Sequence, residues 1–116
     1  MRKTDKKIEN QLRRALTSVC EIALKEIDGF QWLTHLVNYG HFPKSLKIIF
    51  VFDTEENLRK FKSDERKEKL TSLTQAQLRE ISVDIKNLNN HLSYDTEESC
   101  LKEHNGKWAD RLSNYN

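Results

Sequence analysis

The sequence predicts an α+β domain, a small mixed or antiparallel sheet covered by helices in the order α-β-β-α(α)-β-β-α. Three observations carry this. Residues 46–61, LKIIFVFDTEENLRKF, join a continuous run of branched and aromatic residues to a helix-start signal. A long stripe of apolar residues at spacings of three and four precedes them. The aromatic-D-T-E-E pattern of residues 52–56 returns at 94–98, so a second strand-to-helix junction is expected near the end of the chain.

The elements follow in order. Thr4 or Asp5 is placed to cap a first helix, along which Ile8, Leu12, Ala15, Leu16, Val19, Ala23 and Ile27 form one apolar face. Gly29 is placed to end it in a left-handed turn. Residues 30–39, FQWLTHLVNY, read as a strand, and residues 40–45, with the chain's single proline, as a loop. Residues 48–52 then return as an antiparallel partner. Their unbroken apolar character, without alternation, predicts a strand covered on both faces. Asp53 is expected to cap the next helix, with Glu56 reaching back and Glu55 and Glu56 favouring the positive end of the helix dipole. Residues 54–81 read equally as one kinked helix or as two. Residues 82–86, SVDIK, alternate as a half-buried strand does. Asn87, Asn89 and Asn90 make a turn, and residues 91–94 a short strand, an edge by its length. A last helix starts near Thr96 and breaks at Asn105 and Gly106. Trp108 and Leu112 should dock the tail on the body, and only the last few residues should fray.

A length of 116 residues favours one domain, 1–116, able to bury a core without disulfides. The chain is 36% hydrophobic and 33% charged, but its apolar residues are clustered, which argues against wholesale disorder. No run approaches a membrane span, and the charged start, MRKTDKK, lacks the apolar segment of a signal peptide. A cytoplasmic protein is therefore expected. Cys20 and Cys100 suit a reduced compartment as free thiols, a disulfide between them being the alternative.

A net charge of +2 demands no anionic partner, but its distribution is uneven. Residues 1–14 hold six basic residues (Arg2, Lys3, Lys6, Lys7, Arg13, Arg14) against Asp5 and Glu9. Residues 59–69 hold six more, among them Lys60, Lys62, Arg66 and Lys67, against three acids. Such tracts can hold nucleic-acid phosphates with strong salt dependence. Equally, interspersed acids describe a solvated helix face. The hairpin aromatics Phe30, Trp32, Tyr39 and Phe42 could stack on single strands, but core packing or a homodimer interface, the latter through Trp32, His35, Tyr39 and Phe42, is favoured.

Catalytic signals are sparse. The two D-T-E-E clusters, with Asp53, Glu56, Asp95 and Glu98, would support a metal-dependent nuclease if they met in one pocket. Helix capping explains the same residues with no further assumption. Cys100 and His104 are one helical turn apart, a spacing that can supply two zinc ligands, but no other ligands stand nearby in the sequence. There is no G-x-S-x-G, P-loop or G-x-G-x-x-G, and no cofactor or metal site is expected.

The blocks MRKTDKKIEN, QLRRAL, GFQWLTHLVNY, VFDT, SYDTEE and HNGKWADRL together resemble a group of small proteobacterial proteins identified as Fis-family transcriptional regulators. The resemblance covers nearly the whole chain and implies a bacterial cytoplasmic protein. Fis proteins are all-helical and end in a helix-turn-helix, whereas this chain has strand signals at its centre and no second recognition-length helix after Asn105. No DNA-contacting residue is carried over. The leading expectation is a non-catalytic regulatory or adaptor protein that binds nucleic acid through Lys3, Lys6, Lys7, Arg13, Arg14 and the mid-chain lysines and arginine. A homodimeric interaction module and the nuclease are the alternatives.

Overall fold

The computed structural model describes residues 2–115. Helix α1 (Lys3–Glu26) buries Leu12, Ala15, Leu16, Val19 and Ala23, the stripe their spacing dictates. It begins earlier than expected: Arg2 stands at the N-cap, and neither Thr4 nor Asp5 caps it. The first turns depend on packing of the apolar stripe, with Ile8 against the core, instead of on a cap. The chain turns at Gly29, where φ is +84°. A Cβ there would lie 2.7 Å from Asn57 Cβ and 2.8 Å from Asp53 Oδ1, so only glycine fits.

Strand β1 (Phe30–Leu36) pairs antiparallel with β2 (Lys47–Phe52), Leu33 opposite Phe50 and Thr34 opposite Ile49. β1 is shorter than residues 30–39 suggested. The Asn38 side chain accepts from the Gly40 N–H at 2.9 Å and curls the chain into a 3-10 turn at Tyr39–His41. Every residue from Ile48 to Phe52 is fully buried, so the continuous apolar run is the central, two-sided strand it was expected to be.

Two helices follow, α2 (Glu55–Lys62) and α3 (Arg66–Glu80). The expected strand at residues 82–86 is absent. Ile81, Ser82 and Val83 donate their N–H groups back to carbonyls of Leu78 and Arg79, and Ser82 has φ +62°. These are helix-ending bonds. Val83 and Ile85 are buried as their alternation implied, but an extended loop buries alternate side chains without pairing its backbone. Strand β3 (Leu92–Thr96) then lies parallel to β2, with Tyr94 beside Phe50 and Thr96 beside Phe52. The sheet is mixed, in the order β1-β2-β3, with three strands where four were expected. Helix α4 (Glu97–His104) ends at Asn105 and Gly106, both at positive φ. Helix α5 (Trp108–Leu112) and a 3-10 turn at Ser113–Tyr115 complete the described chain.

The sheet is covered on both sides. Ile48, Phe50 and Phe52 join Leu12, Leu16 and Val19 of α1, Leu58 and Phe61 of α2, and Leu70 and Leu78 of α3 in one hydrophobic cluster. Ile49 and Val51 face the other way. Val51 lies between Trp32 and Asp95 in register, and both neighbours hold the tail. Trp108 packs edge-on against Trp32 at 4.8 Å, and Arg111 and Tyr115 bind Asp95. The tail therefore docks, as Trp108 suggested, and the docking runs through Tyr115; of the residues expected to fray, Asn116 lies outside the described residues. No described helix is long and apolar enough to cross a membrane.

Because β2 and β3 are parallel neighbours, both D-T-E-E segments leave the same end of the sheet, and they cap each other. The caps are the threonines, not the aspartates. Thr54 Oγ1 accepts from the Asn57 N–H at 3.1 Å, and Thr96 Oγ1 accepts from the Ser99 N–H at 3.0 Å. Glu98, at the start of α4, accepts from the Glu55 N–H of α2 at 2.8 Å. Glu55 in return accepts from Thr96 Oγ1 at 2.7 Å and from Ser99 Oγ.

Candidate nucleic-acid interface

At about 100° of rotation per residue, Lys3, Lys7 and Arg14 fall on the side of α1 opposite Leu12, Ala15 and Val19. With Lys6, Asn10 and Gln11 they line a shallow depression of about 300 Å³. Glu9 of the same segment turns elsewhere. Glu9 lies at the edge of the helix nearest β1. There one carboxylate oxygen meets His35 Nε2 at 2.8 Å and accepts from the Tyr39 hydroxyl, while the other accepts from Arg13 Nε at 2.9 Å. Burial alone would raise the Glu9 pKa. The Tyr39 and His35 hydrogen bonds, the His35 charge and Arg13 outweigh it and lower the pKa to about 2. Burial and the same Glu9 contact push the Tyr39 hydroxyl well up.

This sorting changes how the basic tract reads. Among the described residues, Lys3, Lys6, Lys7 and Arg14 have no ion-pair partner, whereas Arg13 is tied to Glu9. The mid-chain tract is more neutralised. Lys60 lies 3.8 Å from Glu56, Arg66 lies 3.7 Å from Asp64, and Lys69 lies 3.6 Å from Glu65. Lys62 and Lys67 instead sit over the Tyr94 ring. Nor do the two tracts merge. Arg66 and Lys69 share a groove with Ile22, Glu26 and Ile27, so the start of α3 meets the far end of α1. The helix from Lys7 to Ile22 spans about 22 Å at 1.5 Å per residue.

The four hairpin residues all have partners within the chain. Trp32 donates to Glu97 at 2.5 Å and packs on Trp108. His35 and Tyr39 hold Glu9, and Phe42 packs against the core and lies 6.4 Å from the Tyr39 ring.

The acidic clusters come together at one end of the sheet, yet Asp53, Asp95 and Glu98 accept from protein donors, and Glu56 lies exposed with Lys60 at 3.8 Å. Asp53 accepts from the Thr54 N–H at 2.6 Å and from the Asn57 amide. Asp95 accepts two bonds from Arg111, at 2.7 and 2.8 Å, one from Tyr115 at 2.7 Å, and the Thr96 N–H at 2.8 Å. Although burial raises its pKa, these donors hold Asp95 below the usual carboxylate range. Among the described residues no three His, Cys, Asp or Glu side chains are grouped to hold a metal ion. Cys100 is buried in the core and His104 contacts Arg111 and Asn114. Cys20 and Cys100 are both free thiols, and burial raises the pKa of each.

The anchors Glu9, Asp95 and Arg111 were not singled out as anchors in the sequence. The contacts that make them anchors, Glu9 with His35 and Tyr39 and Asp95 with Arg111 and Tyr115, span 16 to 30 positions, beyond any helical or strand period. Comparison with family models, with curated proteins and with solved structures returns no match.

Proposed function

We propose that this chain is a non-catalytic regulatory or adaptor protein that holds nucleic-acid phosphates on the outward face of α1. Lys3, Lys6, Lys7 and Arg14 hold the phosphates, with Asn10 and Gln11 supplying further donors. One observation carries the reading: in the first four turns of α1, Lys3, Lys6, Lys7 and Arg14 face solvent without an ion pair among the described residues, while Glu9 is turned into the hairpin. Such a face neutralises phosphates and releases their counterions, a contact that carries no sequence information in itself. Binding is accordingly weak and insensitive to sequence.

Fluorescence anisotropy with a labelled duplex at low and moderate salt tests this. Replacing Lys3, Lys6, Lys7 and Arg14 together by Ala should abolish most of the binding. It should also flatten the dependence of log K on log salt by about 0.9 for each phosphate that is no longer neutralised. Arg13→Ala, whose cation is already engaged, should change the affinity least. A quadruple variant that binds like the wild type defeats the proposal.

A further inference from the structure

Where α2 turns into α3 the surface opens into a cleft of about 620 Å³. Lys62, Ser63, Lys67, Thr71 and Asn89 line it. Tyr94 of β3 lies beneath these lysines. Phe50 stacks on its ring, with centroids 5.7 Å apart and planes 22° apart. Lys62 Nζ and Lys67 Nζ lie 6.0 and 5.9 Å from the same ring centroid.

Two features there are unresolved by the protein itself. Two ammonium groups lie over one ring, and among the described residues neither has a carboxylate partner. The nearby acids are spoken for in part: Asp64 faces Arg66 and Glu65 faces Lys69, which leaves Glu68 as the one lining acid without an ion pair. The Tyr94 hydroxyl is buried, and its contact with the neighbouring Thr71 hydroxyl falls short of good hydrogen-bond geometry. Thr71 directs its own proton to the Lys67 carbonyl at 3.0 Å. An unpaired buried donor is costly, and an acceptor that reached it would recover that cost.

An anion with several acceptor oxygens answers both. We propose that the cleft binds the phosphate group of a small molecule, with Lys62 and Lys67 on its oxygens and the Tyr94 hydroxyl and Asn89 amide completing the donor set. The volume falls within the range of small-ligand sites. Asp64, Glu65 and Glu68 also line the cleft; Arg66 and Lys69 offset the first two, and Glu68 disfavours a long polyanion more than a compact phosphomonoester. This site is separate from the α1 face and stands or falls independently of it.

The test is an NMR titration of the isotopically labelled full chain with inorganic phosphate, with a nucleoside monophosphate and, as a third arm, with a short oligonucleotide. Phosphate and the monophosphate should give saturable shifts at residues 62–72 and 89–94. The double variant Lys62→Gln, Lys67→Gln, altered only at the surface, should bind at least about tenfold more weakly. Tyr94→Phe keeps the stacked ring and should weaken binding about fivefold. No saturable shift from either small ligand, or variants that bind as the wild type does, overturns the site. Shifts there from the oligonucleotide alone overturn the assignment to a small molecule.

Discussion

Asp53 and Asp95 hold the same place in the same four-residue motif, and their surroundings give them different work. Asp53 accepts two neighbours' donors, the Thr54 N–H and the Asn57 amide, beside the glycine that leaves it room. Asp95 is 5% exposed and balances the Arg111 guanidinium, itself only 14% exposed, through two parallel hydrogen bonds. Removing Asp95 leaves the buried Arg111 only the exposed Glu103 as an ion-pair partner and strips the Tyr115 hydroxyl of its acceptor, at a cost of about 3 kcal/mol. Losing local hydrogen bonds costs about 1 kcal/mol. Asp95→Ala should therefore lower the urea-unfolding free energy roughly threefold more than Asp53→Ala does. Trp32 and Trp108, the chain's two tryptophans, meet where the tail lands, so Asp95→Ala should also red-shift native-state emission while Asp53→Ala should not. Equal losses, or unchanged emission in both, would show that the tail is held by something other than this pair.

At the scale of elements, the strand at 48–52 and the helices beginning at each D-T-E-E were legible because their signals are local: an apolar run, a capping residue, acids in a first turn. The third strand was legible, but its parallel partner was not. Pairing depends on a crossover of two helices, and nothing within residues 92–96 records which strand lies alongside. The mistaken strand at 82–86 has the same root, since alternation reports burial and leaves backbone pairing open. The basic face of α1 was legible as composition only. Its separation from Glu9 emerges once His35 and Tyr39, more than 25 residues away, are in place. The cross-capping of α2 and α4 gives the two threonines unequal weight. Thr54 serves its own helix, whereas Thr96 caps α4 and also donates to Glu55 of α2 while fully buried. Thr54→Ala should cost about 1 kcal/mol and Thr96→Ala about 2 kcal/mol. Combining Thr96→Ala with Glu55→Gln should cost less than the two single losses together. Strict additivity in chemical denaturation would mean that the bond between the two helices contributes nothing.

Over the whole molecule, three carboxylates join parts of the chain that are remote in sequence. Glu9 ties α1 to β1 and the turn after it, Glu55 ties α2 to α4, and Asp95 ties the tail to β3. All three have pKa values lowered by folding: Glu9 to about 2 from 4.5, Glu55 through its Ser99 and Thr96 hydrogen bonds, and Asp95 through Arg111 and Tyr115 despite its burial. A lowered carboxylate pKa means that the unfolded chain takes up protons first as pH falls. The stabilisation is complete above the ordinary carboxylate range and drains away below it. Stability should thus hold level from neutrality down to about pH 5 and then decline steadily toward about pH 2. Glu9→Gln should be less stable at neutral pH, because the charge opposite His35 and Arg13 is gone. Its acid decline should also be shallower, because one of the three groups no longer titrates. Urea-unfolding midpoints measured across the acid range for both proteins decide the matter. Parallel curves would remove Glu9 from the account of acid stability, and with it the case that this residue is held inward, ionised, away from the cations on the outer face of α1.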